Sequence, residues 1–484
     1  MKHSSVSLED KYRVDVPHVY LTGTQALVRL PLLQRTCDVA AGRNTAGFVS
    51  GYRGSPLGNV DIQMWHAREQ LAAHHIHFQP GVNEDLAATA VWGSQQVPLT
   101  PGAKYDGVFA LWYGKGPGVD RSGDVFKHGN LAGTTRDGGV LLVAGDDHNC
   151  KSSTVPHQSE PAFATAMIPV LVPADVREIL ELGLHGWAMS RYSGRYVGFK
   201  TVADVVDTSA SITFDFADFV SRLPDGPLPD VHIRPADLPL AMEARVHTLG
   251  VPAAQAYARA NRLDRILLDP ADPALGIITF GKSYHDTRQA LADLGGMPVR
   301  LLKLAMVWPV DREIIRRFAA GLREILVIED KSDFVERQVR DALYDVADRP
   351  RVLGRYDESG GVLLRAGGAL SADEIALALA RRLPQTEAIR ARRTFLEAEA
   401  ERIAQTEVAA QRRPYFCSGC PHNTSTKVID GSRALAGIGC HFMARWMDRS
   451  TEFYTQMGGE GASWIGQAPF TEEKHVFANI GDGT

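Results

Sequence analysis

Cysteine is scarce in this chain, with five in 484 residues. That is too few for a disulfide scaffold, so a closely spaced cysteine pair is expected to serve a metal or cluster in a reducing compartment. Long apolar runs are missing as well. Runs such as Val108 to Tyr113 are strand-sized and fall far short of a membrane span. The opening Met1-Lys2-His3-Ser4 has no apolar core of the kind a secretory signal needs. Neither sign of charge dominates: Lys and Arg number 52, Asp and Glu 57, and the net charge of −5 leaves no basic stripe for nucleic acid. The expectation is a cytoplasmic protein with neither membrane nor nucleic-acid partners. What is present suits a globular enzyme: 44% hydrophobic and 23% charged residues. The length exceeds one ordinary domain and predicts two to four.

Short β-rich runs alternate with helical patterns, which predicts an α/β fold with several doubly wound domains. Ala46 to Ser50 reads as a strand ending in the turn Gly51-Tyr52-Arg53-Gly54-Ser55-Pro56. Val108 to Tyr113 and Gly139 to Ala144 are continuous apolar runs, the pattern of strands buried on both faces. Helices are expected over Asp85 to Gln96 and, despite two glycines, over Asp175 to Ser190, with Asp175 as N-cap. Residues 211–270 are rich in Pro and Asp, show some helical pattern and read as a connector. A second α/β region begins at Leu275, with further strands at Val299 to Leu304 and Glu324 to Glu329 and a helix from about Asp286. Residues 371–411, rich in Ala, Arg and Glu, read as a solvated helical linker.

Four motifs carry chemistry. Cys417-Ser418-Gly419-Cys420-Pro421-His422 places two thiols three positions apart, and Cys440 follows behind Gly437-Ile438-Gly439. Three thiolates suit an iron–sulfur cluster or zinc, whereas a reduced CxxC can also simply cap a turn. Cys37 and Cys150 stand alone and read as buried small residues. Asn479-Ile480-Gly481-Asp482-Gly483 follows a strand-like run from Lys474. Its glycines let the backbone approach a phosphate, and Asp482 offers magnesium a hard oxygen ligand; an ordinary turn reads the same. Glu84 opens a helix of small residues, Ala87, Ala88 and Ala90. Such an acid either complements the helix dipole or points a carboxylate into a dry pocket. The loop from Gly51 to Pro56 lies at the C-terminal end of a parallel strand, where open α/β sheets bind ligands. There Arg53 and Ser55 can hold a substrate carboxylate or simply build a turn. Lys115-Gly116-Pro117-Gly118 and Asp146-Asp147-His148 with Ser152-Ser153 are candidate pocket loops. The first lacks the Lys-Ser/Thr ending of a P-loop. The His74-His75-Ile76-His77 run reads as a crowded surface turn.

In this order the motifs resemble the 2-oxoacid:ferredoxin oxidoreductases, and within them the indolepyruvate:ferredoxin oxidoreductases of the fused long form. The likeness rests on Ser50 to Pro56, Glu84 with its Ala-rich helix, Asp146-Asp147 with Ser152-Ser153, Gly276-Ile277-Ile278, Val327-Ile328-Glu329, and finally CSGCPH, GIGC and GDG. The resemblance implies the thiamine-diphosphate type of fold. By it, 1–210 is a pyrimidine-binding-type domain, 211–270 a connector and 271–385 a domain like the C-terminal one of transketolase. A helical linker, 386–413, leads to the start of a diphosphate-binding-type domain, 414–484. It implies oxidative decarboxylation of an arylpyruvate to the acyl-coenzyme A, with electrons passing through a [4Fe-4S] cluster to ferredoxin. Carried over by position, Glu84 activates thiamine diphosphate and Arg53 and Ser55 contact substrate. Gly481, Asp482 and Gly483 meet the diphosphate, with Asp482 on Mg2+, and Cys417, Cys420 and Cys440 hold the cluster. A homo-oligomer, at least a dimer, is implied too. Arg53 departs from the family's usual proline. The fourth cluster ligand and second magnesium ligand are expected beyond Thr484, so the 484-residue piece alone is expected to be inactive. The alternatives are a non-redox thiamine decarboxylase or lyase and a non-catalytic, partner-dependent subunit.

Overall fold

The computed structural model describes residues 7–408, 410 and 412–481. Two compact units are present, Met1–Ala398 and Glu399–Thr484, and their boundary falls inside the helix Glu387–Gln405.

The apolar runs of the first unit become its buried strands. In chain order they are β1 (His18–Thr22), β2 (Thr45–Gly51), β3 (Ile76–Phe78), β4 (Gly107–Lys115), β5 (Val140–Asp146), β6 (Val170–Leu171) and β7 (Val197–Val202). There follow β8 (Ser209–Thr213), β9 (Arg265–Leu268), β10 (Leu275–Phe280), β11 (Val299–Leu304), β12 (Met306–Trp308), β13 (Glu324–Ile328) and β14 (Arg351–Leu353). A seven-stranded sheet has the order β12-β6-β7-β5-β4-β2-β3, all parallel except β12 against β6. A five-stranded sheet has the order β14-β13-β10-β11-β9, with β9 antiparallel. β1 and β8 form a separate antiparallel ribbon. The unit is α/β with parallel sheets and a core on each face.

Alternation along β4 builds those cores. Phe109, Leu111 and Tyr113 face one hydrophobic cluster, with Leu30, Leu141, Trp187 and Phe199. Ala110 and Trp112 face the other, with Leu142, Phe126 and Phe163. This second cluster continues into Phe318 and Val327 of the five-stranded region. β12 likewise leaves that region by sequence and joins the seven-stranded sheet.

Asp175 caps the helix Val176–Ser193, its carboxylate accepting from Glu178 N at 2.9 Å, and Gly194 ends it with φ +65°. The two glycines inside this helix are close-packing positions. A Cβ on Gly183 would lie 2.3 Å from a Leu30 methyl, and one on Gly186 2.5 Å from a Leu141 methyl.

The helical pattern within 211–270 becomes helical turns from Pro239 to Ala260, beside β9. Tyr257 there is buried and its hydroxyl lies 2.9 Å from His185 Nδ1. The helix expected from Asp286 starts at Gly281, whose φ of +52° turns the chain out of β10. The first part of the Ala/Arg/Glu-rich stretch is not solvated: helix Ala372–Arg382 buries Ile375 and Leu379 against Ile277 and Leu326.

The second unit contains β15 (Ala434–Ala436), β16 (Thr451–Tyr454) and β17 (Phe477–Ala478), a parallel sheet ordered β16-β15-β17. The strand read from Lys474 to Ile480 is confined to Phe477–Ala478. Among the described residues no helix is long and apolar enough to cross a membrane.

Candidate functional site

The C-terminal ends of β2, β4 and β5 lie side by side, with Gly51 beside Tyr113 and Lys115 beside Gly145. Three loops therefore open at one edge of the sheet: 51–56, 115–118 and 146–153. Ser55 Oγ and Ser152 Oγ, 2.5 Å apart, tie the first loop to the third. Asp147 holds the third loop in shape by accepting from Ser152 N at 2.7 Å and Ser153 N at 3.0 Å. Arg53 is exposed and near enough to Asp61 and Tyr113 to act on both. Asp61 and Tyr113 are themselves hydrogen-bonded.

Glu84 starts the helix Glu84–Ser94. Asn83 caps it, accepting from Leu86 N at 3.0 Å. Trp112 Nε1 donates to the Glu84 carbonyl at 3.0 Å and pins the helix start to β4. The side chain is fully buried, yet neither carboxylate oxygen has a hydrogen-bond partner. A buried polar atom without a partner is costly and marks a place where a ligand donor fits. Burial pushes the Glu84 carboxyl above its usual range, while Lys115 and Arg121 pull it back. Gly118 provides the room: a Cβ there would lie 2.6 Å from Glu84 Cγ.

Below this edge lies an ionic chain, buried except at its Asp120 end. Asp146 accepts from Ser159 N at 2.8 Å and Ser159 Oγ at 2.6 Å. Lys200 donates to Glu160 at 2.7 Å and lies 4.0 Å from Asp146. His157 bridges Asp120 at 2.8 Å and Asp146 at 3.4 Å, under Gly116. Burial would raise Asp146, but His157 and Lys200 outweigh it and hold the carboxyl well below its usual range. Burial would lower His157, but the hydrogen bonds it donates to Asp120 and Asp146 prevail and raise it to about 9. Asp330, beside His148 at 3.5 Å, is also held low against its burial.

A pH prediction follows from His157. Its folded pKa lies above its unfolded one, so its stabilisation is complete below about 6.5 and is lost as pH rises through about 9. Chemical unfolding should show stability falling across that window by about 1–3 kcal/mol. His157→Gln should remove that slope; an equal slope in the variant would contradict the assignment.

In the second unit, Cys420 N donates to Cys417 O at 3.0 Å across a turn in which Gly419 has φ +75°. Cys417 and Cys440 are exposed and Cys420 is half-buried. Cys440 opens the 3-10 segment Cys440–Trp446. Among the described residues, no three His, Cys, Asp or Glu side chains are grouped to hold a metal ion. The three cysteines are thus not gathered about one point. Gly481 is half-buried, and Asp482 and Gly483 lie outside the described residues. Cys37 and Cys150 are only partly buried, not core residues.

Sequence reasoning missed Lys200, Glu160, His157 and Asp120. The available signal was Lys200 itself, a lysine within the apolar run of β7.

Residues 264–412 match the family model described as the indolepyruvate ferredoxin oxidoreductase middle domain. The chain is 24% identical over 412 residues to the indolepyruvate oxidoreductase subunit IorA of Thermococcus kodakarensis, covering 79% of this chain and 61% of that protein. To the subunit IorA of Archaeoglobus fulgidus it is 26% identical over 488 residues, covering 96% and 70%. The chain thus spans about three-fifths to seven-tenths of the length of these relatives. Among solved structures, the 2-oxoglutarate:ferredoxin oxidoreductase of Magnetococcus marinus aligns with a TM-score of 0.55 and 14% identity. That alignment covers 76% of this chain and 66% of the other, a likeness of fold. The middle-domain match and these relatives agree in a similarity to the indolepyruvate:ferredoxin oxidoreductase family.

Proposed function

We propose that this chain carries the cofactor-activating part of a thiamine-diphosphate-dependent enzyme that oxidatively decarboxylates an arylpyruvate to its acyl-coenzyme A, with ferredoxin as electron acceptor. One observation carries the reading: the buried, unpartnered carboxylate of Glu84 at the ligand-binding edge of a parallel sheet. A carboxylate in that state fits the N1′ nitrogen of an aminopyrimidine, which supplies the missing partner. When bound, thiamine diphosphate supplies an electron sink for loss of CO2 from a 2-oxoacid.

The chain's own residues have defined tasks in this reading. Burial favours the protonated form of Glu84, whose carboxyl would donate to N1′. Gly118, lacking a Cβ, leaves space for the Glu84 side chain at the helix start. Arg53 and Ser55 hold the substrate carboxylate, Arg53 by charge and Ser55 from a hydroxyl positioned by Ser152. Gly481, Asp482 and Gly483 are proposed for the diphosphate and Mg2+. Residues 1–210 would be the pyrimidine-binding-type domain, 271–385 the transketolase-C-terminal-like domain and 414–484 the start of the diphosphate-binding-type domain. The assembly is proposed to be a dimer or higher homo-oligomer.

Cys417, Cys420 and Cys440 are proposed as ligands of a [4Fe-4S] cluster on donor chemistry, thiolates being what such clusters require. As arranged here the three do not form a metal site. Iron and sulfide analysis of the complete enzyme tests this part. Cys417→Ser is expected to abolish cluster absorbance and ferredoxin reduction. A fully active, iron-free enzyme would favour a non-redox decarboxylase. For the reading as a whole, the test is turnover of phenylpyruvate and indolepyruvate with a low-potential acceptor and coenzyme A. Absence of any thiamine diphosphate binding by the complete enzyme would overturn it.

A further inference from the structure

The end of the seven-stranded sheet opposite Glu84 holds a cavity of about 600 Å3. Arg43 precedes β2, and Arg136 and Asp137 precede β5, so the cavity lies at the strand starts. A seven-residue strand separates it from the Glu84 edge by about 20 Å. Leu184, Ala188 and Tyr192, from the last turns of helix Val176–Ser193, form one wall. The segment after β8 forms another, with Phe216 and Phe219. Cys37 adds a neutral thiol, its pKa pushed by burial to about 12.

The charges around this cavity do not balance. Asp38 is taken by Arg191, which donates to both its oxygens at 2.6 and 2.7 Å. Asp137 lies 3.5 Å from Arg43. Arg136 is exposed, lines the cavity, and makes no ion pair or hydrogen bond among the described residues. Three guanidinium groups thus face two carboxylates, both already paired. His232 adds no charge: burial, with Arg136 and Arg195 nearby, keeps its pKa low. The volume is that of a small-molecule site. One uncompensated cation matches one negative charge, and an aromatic wall matches a ring. A phosphate ester would call for more free donors than Arg136 alone.

We propose that this cavity is a second ligand site, remote from the Glu84 edge, that takes a small aromatic monocarboxylate with its ring against Tyr192 and Phe219 and its carboxylate at Arg136. The proposal stands independently of the role given to Glu84. The test is a 19F NMR titration of the chain with 4-fluorophenylacetate. Saturable one-site binding is expected, weakened at least tenfold by Arg136→Glu, a change at an exposed position, and lost in Ala188→Trp, which fills the cavity. Glu84→Gln should leave the affinity unchanged, and the cation 4-fluorophenethylamine should not compete. The proposal is overturned by absence of saturable binding, by undiminished affinity in Arg136→Glu, or by effective competition from the amine. It is equally overturned if binding survives Ala188→Trp but is lost in Glu84→Gln, which would place the probe at the catalytic edge.

Discussion

Glu84→Gln in the complete enzyme is expected to lower turnover of an arylpyruvate by on the order of 10³-fold, the scale of a lost acid–base group. Affinity for thiamine diphosphate should remain nearly intact. The reason lies in the geometry: the side chain is fully buried, both oxygens lack partners, and Gly118 closes on its Cγ. Glutamine fills the same volume, so the fold should be unaffected. What it cannot do is take up and release a proton. Steady-state rates and cofactor titration of both forms decide the matter, and near-normal turnover would remove Glu84 from the mechanism.

The second large effect is on stability. Lys200→Met should cost the first unit about 3–5 kcal/mol, the range for breaking a buried ion pair from one side. Lys200 is buried in β7, bonded to Glu160 at 2.7 Å and 4.0 Å from Asp146. Methionine keeps most of the volume but leaves two buried carboxylates with less counter-charge. Denaturant unfolding of both forms at neutral pH measures this; an unchanged midpoint would contradict the assigned role. Because this ionic chain lies beneath the loops 115–118 and 146–153, a milder substitution there should also disturb the site.

Much of this was legible in the residues, for reasons that differ from element to element. β4 and β5 announced themselves because both faces are buried, which forces continuous apolar runs. Asp175 was readable as a cap because its role is local, three residues from the N–H it accepts. Glu84 was visible as an acid at the head of a small-residue helix. Its lack of any partner was not, since that depends on Trp112 and Gly118 approaching from elsewhere in the sequence. Lys200 was overlooked because its compensation, Glu160, lies 40 residues away. β12 is three residues long and pairs with a strand of the other sheet, and no periodicity reports such a crossing. The helices from Pro239 to Ala260 were legible only as some helical pattern, because proline and aspartate surround them.

The central claim is that Glu84 activates thiamine diphosphate, and proton exchange at the C2 position of the bound cofactor tests it most directly. The measurement is made on the complete enzyme and its Glu84→Gln form by quenching in D2O and reading the C2 proton by NMR. Glu84 as assigned predicts rapid exchange in the wild type and exchange slowed on the order of 10³-fold in the variant, with equal cofactor occupancy. Equal exchange rates in the two forms would contradict it.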